Sequence, residues 1–331
     1  MLETILPIAI TISIGFIITL LFIPPISKFM FNHGIIGIDV HKLNRPKIPE
    51  LCGIAIVVGV TVSAIILILF YPEKNIWIFA FVSSTLIAAI VGILDRITKI
   101  GPKLKPALVA LGAVPIILLA VYNPFPEFPF IGATRLTIIY PILIPIALAV
   151  TANSVNMLDV FNGSMTGTCS IAILGMIICM LMMGRLEPAA LGVGLLGSLL
   201  AFHLFNKYPA KIFAGDVGSL FIGASIGVLA IFGRIEVAAI TAMMPHIMNA
   251  FYGLATVGRL YERKEISTRP IKILDDGRLD VNEDSKAPIT LARMILAKRP
   301  LKEFEVTRRM YILSGVSAIL AVLTQLLIIW C

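Results

Sequence analysis

Ten mostly apolar stretches follow one another along the chain, at residues 3–24, 51–71, 76–94, 106–122, 136–153, 168–184, 188–205, 217–233, 236–257 and 310–330. Each is about 17 to 22 residues long, the length a helix needs to cross the hydrocarbon core of a bilayer. Backbone in lipid must satisfy its own N–H and C=O groups, so only helices and closed barrels can span it, and stretches this long read as helices. The fold class that follows is an all-α polytopic membrane protein with about ten transmembrane helices. Composition argues against a soluble core of this size. Of 331 residues 58% are hydrophobic and only 14% charged, where a soluble domain carries about 25% charged residues. The first apolar run lacks a basic leader and is too long for a cleaved signal, so it reads as the first span. No internal repeat or second soluble domain is visible, and residues 1–331 read as one integral membrane domain. The four cysteines, Cys52, Cys169, Cys179 and Cys331, have no metal-ligand spacing and read as small apolar residues.

Basic residues orient this series. An even number of spans places both termini on one side. With the loop at 25–50 cytoplasmic, only Lys74, Arg135, Arg185 and Arg234 of the 27 lysines and arginines fall outside. This is a strong positive-inside bias, and it puts both termini on the extracytoplasmic side. The same bias accounts for the net charge of +8 without nucleic acid. The outer loops are short, and the longest, "NPFPEFPFIGATR", is a proline-rich connector. The last cytoplasmic loop, residues 258–309, is long. Within it "IKILDDGRLDV" predicts a β-hairpin turning at Asp276-Gly277. The following "APITLARMILAKRP" predicts an interfacial helix on the cytoplasmic leaflet.

Nearly all the unusual polar residues fall in cytoplasmic segments. These are "GIDVHKLNRPKIPE" (37–50), "GILDRITKIGPKLKP" (92–106), "NSVNMLDVFNGS" (153–164), "FNKYPAKIFAGDVGSL" (205–220) and the long loop with Arg269. Each has an ordinary explanation by itself. Asp95 marks a helix end, the lysines snorkel, Asn153 and Asn156 share a helix face and could bond a neighbour, and Asn162-Gly163 is a turn. The four histidines form no ligand cluster along the chain and read as structural. Together the segments are harder to dismiss, because ionisable groups at membrane depth are expensive and mark functional sites. They offer carboxylates and amides (Asp95, Asp159, Asn162, Asp216) and cations (Lys42, Lys105, Arg269). Hard oxygen ligands suit Mg²⁺, which takes one or two protein carboxylates along with substrate phosphates. Lysines suit a polyphosphate. Gly215 and Gly218 flank Asp216 at a helix N-terminus and would let backbone approach an anion. This chemistry is that of a metal-assisted phosphoryl transfer at a membrane surface.

The same segments carry a resemblance. "DVHKLNRPKIPE", "GILD" followed by "KLKP", "NSVNMLDVFNG" and above all "PAKIFAGDVGSL" resemble the cytoplasmic signatures of the polyprenyl-phosphate N-acetylhexosamine-1-phosphate transferases. The likeness runs from about residue 37 to 310. No histidine follows His246, "PHIMNAFY" is similar to a pattern of the eukaryotic and archaeal dolichyl-phosphate branch, and Asn162 points the same way. There are departures: Arg96 stands where the family has a second aspartate, and Cys52 where it has a glycine.

The resemblance implies transfer of a sugar-1-phosphate, GlcNAc-1-phosphate foremost, from a UDP-sugar to dolichyl or polyprenyl phosphate. UMP is released, and the product is the first lipid-linked intermediate of N-glycosylation. It implies Asp216 and Asn162 as ligands of Mg²⁺, with Mn²⁺ as an alternative. Asp95, Lys105 and Asp159 become catalytic candidates, and Asp39, Lys42, Glu50, Asn156, Asn249 and Arg269 substrate-binding ones. The partners expected are the UDP-sugar, the lipid phosphate and membrane lipid, with a homodimer left open. An archaeal plasma membrane is favoured over endoplasmic reticulum, with the site facing the cytoplasm. The alternatives are a secondary transporter of an anionic solute, a phospho-MurNAc-pentapeptide type of transferase, and a non-catalytic lipid-binding scaffold. A transporter would place its site near the bilayer midplane between two related halves, and the halves here do not repeat.

Overall fold

The apolar stretches fold as helices in the computed structural model, which describes residues 2–258 and 268–330, the side chains of residues 2–5 excepted. Seven helices among the described residues are long and apolar enough to cross a membrane. They are α1 (Leu2–Asn32), α3 (Asn75–Thr98, entered through a 3-10 turn at Pro72–Lys74), α6 (Tyr140–Leu158), α7 (Ser164–Met182), α8 (Leu186–Asn206), α9 (Gly215–Gly233) and α13 (Glu303–Trp330). The other three predicted stretches also hold helix, in shorter or broken form. Helix α2 (Ile54–Leu67) has 14 residues, about 21 Å at 1.5 Å per residue, which is less than a bilayer core. The fourth stretch divides at Gly112 into α4 (Leu104–Ala110) and α5 (Ala113–Leu118). The ninth divides into α10 (Glu236–Ala242) and α11 (Met244–Val257), bent by 69°. Pro245 stands in the first turn of α11, where its missing N–H cannot continue the preceding helix.

Helix α9 is the axis of the bundle. It is hydrophobic on every face and 89% of its span is buried, against 28% for α1 and α13. A helix apolar all round belongs inside, whereas one with an exposed apolar face belongs against lipid. Helices α3 and α6 pack along α9, α8 and α2 also touch it, and α1 lies outside α8 and α2. The first turn of α9 carries Asp216, so the central helix begins at the end of the bundle where the polar loops gather.

Those loops are more ordered than their polarity suggests. The first forms a two-stranded antiparallel pair, β1 (Ile36–Ile38) with β2 (Lys47–Pro49), in register Gly37 to Ile48. A second small pair, β3 (Glu127–Phe128) with β4 (Gly132–Ala133), lies in the loop at the other end. The hairpin expected in the long loop is present as β5 (Ile271–Ile273) and β6 (Leu279–Val281), paired Ile271 to Val281. Asp276 in its turn accepts from the Arg278 backbone N–H at 3.0 Å and from Arg278 Nε at 2.6 Å, which holds its carboxyl below the usual carboxylate range. A short helix stands in the stretch expected to hold the interfacial helix, α12 (Leu291–Leu296), capped by Thr290 Oγ1 accepting from Arg293 N. A small apolar cluster of Leu158, Phe161, Ile271, Leu279, Leu296 and Met310 fastens hairpin and helix to the ends of α6 and α13. Leu279 and Leu301 exchange backbone hydrogen bonds at 2.7 and 3.0 Å.

Candidate active site

The start of α9 is approached closely from two sides because glycines face it. A Cβ on Gly92 of α3 would lie 2.5 Å from Val217 Cα, and one on Gly53 would lie 2.5 Å from Gly218 Cα. Gly218 is therefore spent on packing against the start of α2, rather than on the approach to a ligand expected from the sequence. One turn beyond Gly92, Asp95 meets the residue that precedes Val217, Asp216.

Four side chains from four helices converge there. Lys105 Nζ of α4 lies 2.9 Å from Asp95 Oδ2 and pairs with Asp216 Oδ2. Asn156 Nδ2 of α6 donates to Asp216 Oδ1 and approaches Ser219 Oγ, each at 2.8 Å. Lys105 is 8% exposed. Two carboxylates share one ammonium, so this cluster carries a formal charge of −1. Among the described residues Asp95 Oδ1 is buried with no hydrogen-bond partner, and a buried acceptor of this kind is costly unless something occupies it.

A second cluster lies across the same cavity. Lys42 Nζ pairs with Asp39, donates to Asn162 Oδ1 at 2.7 Å and lies 3.3 Å from Glu303 Oε2. Asn162 Nδ2 donates to Asp39 Oδ2 at 3.1 Å, and Asn162 Oδ1 also accepts from Ala210 N at 2.8 Å. Asp39, Asn162 and Glu303 are buried. This cluster too holds two carboxylates against one ammonium. His41 completes a trio with Asp39 and Glu303 whose ligating atoms lie within 4.8 Å of one another, and its ring packs on Phe161 at 4.8 Å. The turn that presents Asn162 is tied by Ser164, whose Oγ accepts from Phe161 N at 3.1 Å and lies 2.9 Å from the Leu158 carbonyl.

Both clusters line one cavity of about 970 Å³. Of the residues singled out in the sequence, Asp39, Glu50, Asp95, Lys105, Asn156, Asp159, Asn162, Asp216, Asn249 and Arg269 line it, and Lys42 reaches its wall through Asp39 and Asn162. The exposed apolar side chains Val150 and Phe251 lie on the same wall, so the cavity has an apolar as well as a charged side. Asp216 and Asn162 fall in different clusters. Both lone pairs of the Asn162 carbonyl oxygen are engaged, by Lys42 and Ala210 N. Asn249 bridges elements, donating to Met157 O at 3.2 Å and accepting from Leu291 N at 2.9 Å. Glu50 pairs with Arg96, Nη1 to Oε2 at 3.0 Å, and Arg96 Nη2 lies 3.4 Å from the Ile36 carbonyl. Arg96 thus ties the end of α3 to the first loop.

Sequence reasoning missed Glu303 and His41. For Glu303 a signal was available, since it is an acid in the first turn of an apolar helix, but the last span was read as starting at 310. For His41 none was, because its companions Asp39 and Glu303 are joined only by the fold.

Comparison with known proteins agrees with this picture. Residues 77–234 match the model of glycosyl transferase family 4. A protein of Saccharolobus solfataricus, provisionally named UDP-N-acetylglucosamine–dolichyl-phosphate N-acetylglucosaminephosphotransferase, is 32% identical over 98% of this chain and 97% of its own length. A protein of Sulfolobus acidocaldarius with the same provisional name is 30% identical over 98% of each chain. The phospho-N-acetylmuramoyl-pentapeptide-transferase of Bacillus licheniformis is 29% identical over 69% of this chain and 75% of its own, a more distant branch.

Proposed function

We propose, from the premise that this chain belongs to glycosyl transferase family 4, that it moves GlcNAc-1-phosphate from UDP-GlcNAc to dolichyl or polyprenyl phosphate. The observation that carries the reading is the meeting of Asp95, Lys105, Asn156 and Asp216, from four helices, in a cavity with an apolar side. A nucleotide sugar enters from water and a lipid phosphate from the bilayer, and neither has to cross. The product is the starter of a lipid-linked oligosaccharide for N-glycosylation. In the proposed topology all ten helical stretches cross or enter the bilayer, both termini are extracytoplasmic, and the cavity opens to the cytoplasm of an archaeal plasma membrane. Family membership leaves the transporter alternative without support, and substrate-dependent UMP release separates the enzyme from a non-catalytic scaffold.

In the reaction an oxygen of the lipid phosphate attacks the phosphorus that bears the sugar. The new P–O bond forms as the bond from that phosphorus to the bridging oxygen breaks, and UMP leaves with the bridging oxygen. A phosphate monoester is already largely ionised near neutral pH, so no strong base is required. Lys105 contacts the diphosphate while Asp95 and Asp216 hold its ammonium in place. Asn156 fixes the rotamer of Asp216. Asp159, with Asn249 and Arg269, lines the nucleotide-sugar side, and Asp39, Lys42 and Glu50 close the site from the first loop.

The donor set suits a divalent cation. Each cluster has one carboxylate in excess of its ammonium, Asp95 Oδ1 is a buried oxygen with no partner among the described residues, and all the donors are hard oxygens or imidazole. Asp216 is the proposed principal ligand. Asp95 lies beside it, whereas Asn162 sits in the other cluster with its carbonyl engaged by Lys42 and Ala210 N and is not a ligand in this arrangement. Mg²⁺, or Mn²⁺, bound there supplies charge neutralisation for the departing UMP.

The test gives purified protein in detergent UDP-GlcNAc, Mg²⁺ and a short dolichyl phosphate, and follows UMP release with the lipid product weighed by mass spectrometry. Asp216→Ala is expected to lose nearly all turnover. Wild-type rates in that variant, still dependent on Mg²⁺, would exclude Asp216 as the metal anchor.

A further inference from the structure

Glu303 is a buried carboxylate at the boundary of the last span, and the mechanism above gives it no role beyond its charge. It is 4% exposed, and an ionised carboxylate in such a place is costly unless its oxygens are satisfied. Both are. Oε1 accepts the Asn162 backbone N–H at 2.8 Å and Oε2 takes the Lys42 ammonium at 3.3 Å. The position, first residue of α13, adds the favourable interaction of an anion with a helix N-terminus.

The Lys42 ammonium has three hydrogens, and three acceptors from three distant segments meet it: Asp39 in the first loop, Asn162 in the turn between α6 and α7, and Glu303 on α13. The Tyr208 ring, 4.7 Å from Nζ, closes the remaining side. The first loop is held at its other end by Arg96, through Glu50 and the Ile36 carbonyl. With Asp39 and Glu50 both on the cavity wall, the β1–β2 pair lies beside the cavity, fastened by the Lys42 hub, by Arg96 and by Phe213 N, which donates to the Pro49 carbonyl at 2.8 Å. Of these, the Lys42 hub is the one that also touches Asn162.

We infer that Glu303 is a positioning residue: through Lys42 it holds the first cytoplasmic loop against the cavity, and through the Asn162 N–H it fixes the turn that presents Asp159 and Asn162 to the substrate. Its effect on catalysis rests on the transferase reading above, whereas its hold on the loop does not. Glutamate is needed because both oxygens must accept. Glutamine of the same shape offers one acceptor and turns an NH₂ toward either the Lys42 ammonium or the Asn162 N–H, a donor facing a donor.

The experiment pairs kinetics with limited trypsin digestion of the full chain in detergent. Glu303→Gln is expected to raise the apparent KM for UDP-GlcNAc about 10-fold with kcat within about threefold, the size of one lost charge-assisted hydrogen bond. Cleavage after Lys42 should quicken about 10-fold relative to cleavage after Lys286, which lies in a different loop. The double variant with Lys42→Met should have no higher KM than Lys42→Met alone, because the glutamine carbonyl still accepts the Asn162 N–H and only the contact through that ammonium is lost. Glu303→Asp keeps both acceptors on a shorter side chain. It should show about a threefold change in KM and in Lys42 cleavage, and it carries the test if the glutamine variant does not fold. A fall in kcat at unchanged KM, an unchanged Lys42 cleavage ratio, or multiplying effects in the double variant each overturn the inference. If the wild-type protein releases no UMP from any UDP-sugar, the transferase reading fails, and the Lys42 cleavage ratio alone decides whether Glu303 holds the loop.

Discussion

Gly92→Ala is the most economical probe of the site, because it adds one methyl group and no charge. The new Cβ would lie 2.5 Å from Val217 Cα and from Val217 N, and 2.6 Å from the Asp216 carbonyl carbon. All three neighbours are backbone atoms of α9, so no rotamer change can make room. Ordinary contact begins near 3.4 Å, and α3 must therefore draw back by about 0.9 Å. Asp95 lies one turn further along α3 and moves with it, stretching its 2.9 Å contact with Lys105 and separating it from Asp216. A displacement of about 1 Å in a reacting constellation costs on the order of 100-fold in rate, so kcat for UMP release should fall about 100-fold. Alanine favours helix over glycine by about 1 kcal/mol, which offsets part of an overpacking cost of about 1–3 kcal/mol, so the variant should still be recovered folded. Gly315→Ala on α13 is the control, since nothing lies within 4 Å of its added Cβ, and it should match wild type. Wild-type kcat in Gly92→Ala would mean that the closeness of α3 to α9 does not set the site geometry.

Other outcomes can be measured with the same preparation. Asn156→Leu removes the 2.8 Å donor to Asp216 Oδ1; a hydrogen bond to a charged group is worth about 1.5–3 kcal/mol, so turnover should fall about 10- to 100-fold with little change in protein yield. Asn249→Ala cuts the link between the Met157 carbonyl and the start of α12, and cleavage by trypsin after Arg293 should quicken severalfold. Removing divalent cations with a chelator should abolish UMP release, Mg²⁺ should restore it and Mn²⁺ restore it in part; full activity in chelator would remove the metal from the mechanism.

The local features were legible because each has a local cause. The hairpin at Asp276-Gly277 depends on turn chemistry within a few residues, and it stands where the sequence predicts it. The count of complete spans was less legible. Hydropathy sums over a window and does not register that Pro245 bends the ninth stretch or that α2 stops after 14 residues. The pairing of β1 with β2 went unseen as well, since strands of three residues carry too little periodicity to detect.

Taken alone, the sequence determined the helical class, the apolar stretches, which segments carry the charges and the residue types the chemistry can draw on, because transfer free energies and helix period act on contiguous residues. The fold decided which of those residues touch. Asp216 meets Asp95 and Lys105, Asn162 instead faces Lys42 and Glu303, and Arg96 takes Glu50. Such pairings join residues as many as 261 positions apart, as Lys42 and Glu303 are. The meeting of Asp95 with Asp216 arises where Gly92 lets α3 press against α9, and packing of that kind leaves no mark on any short stretch of chain.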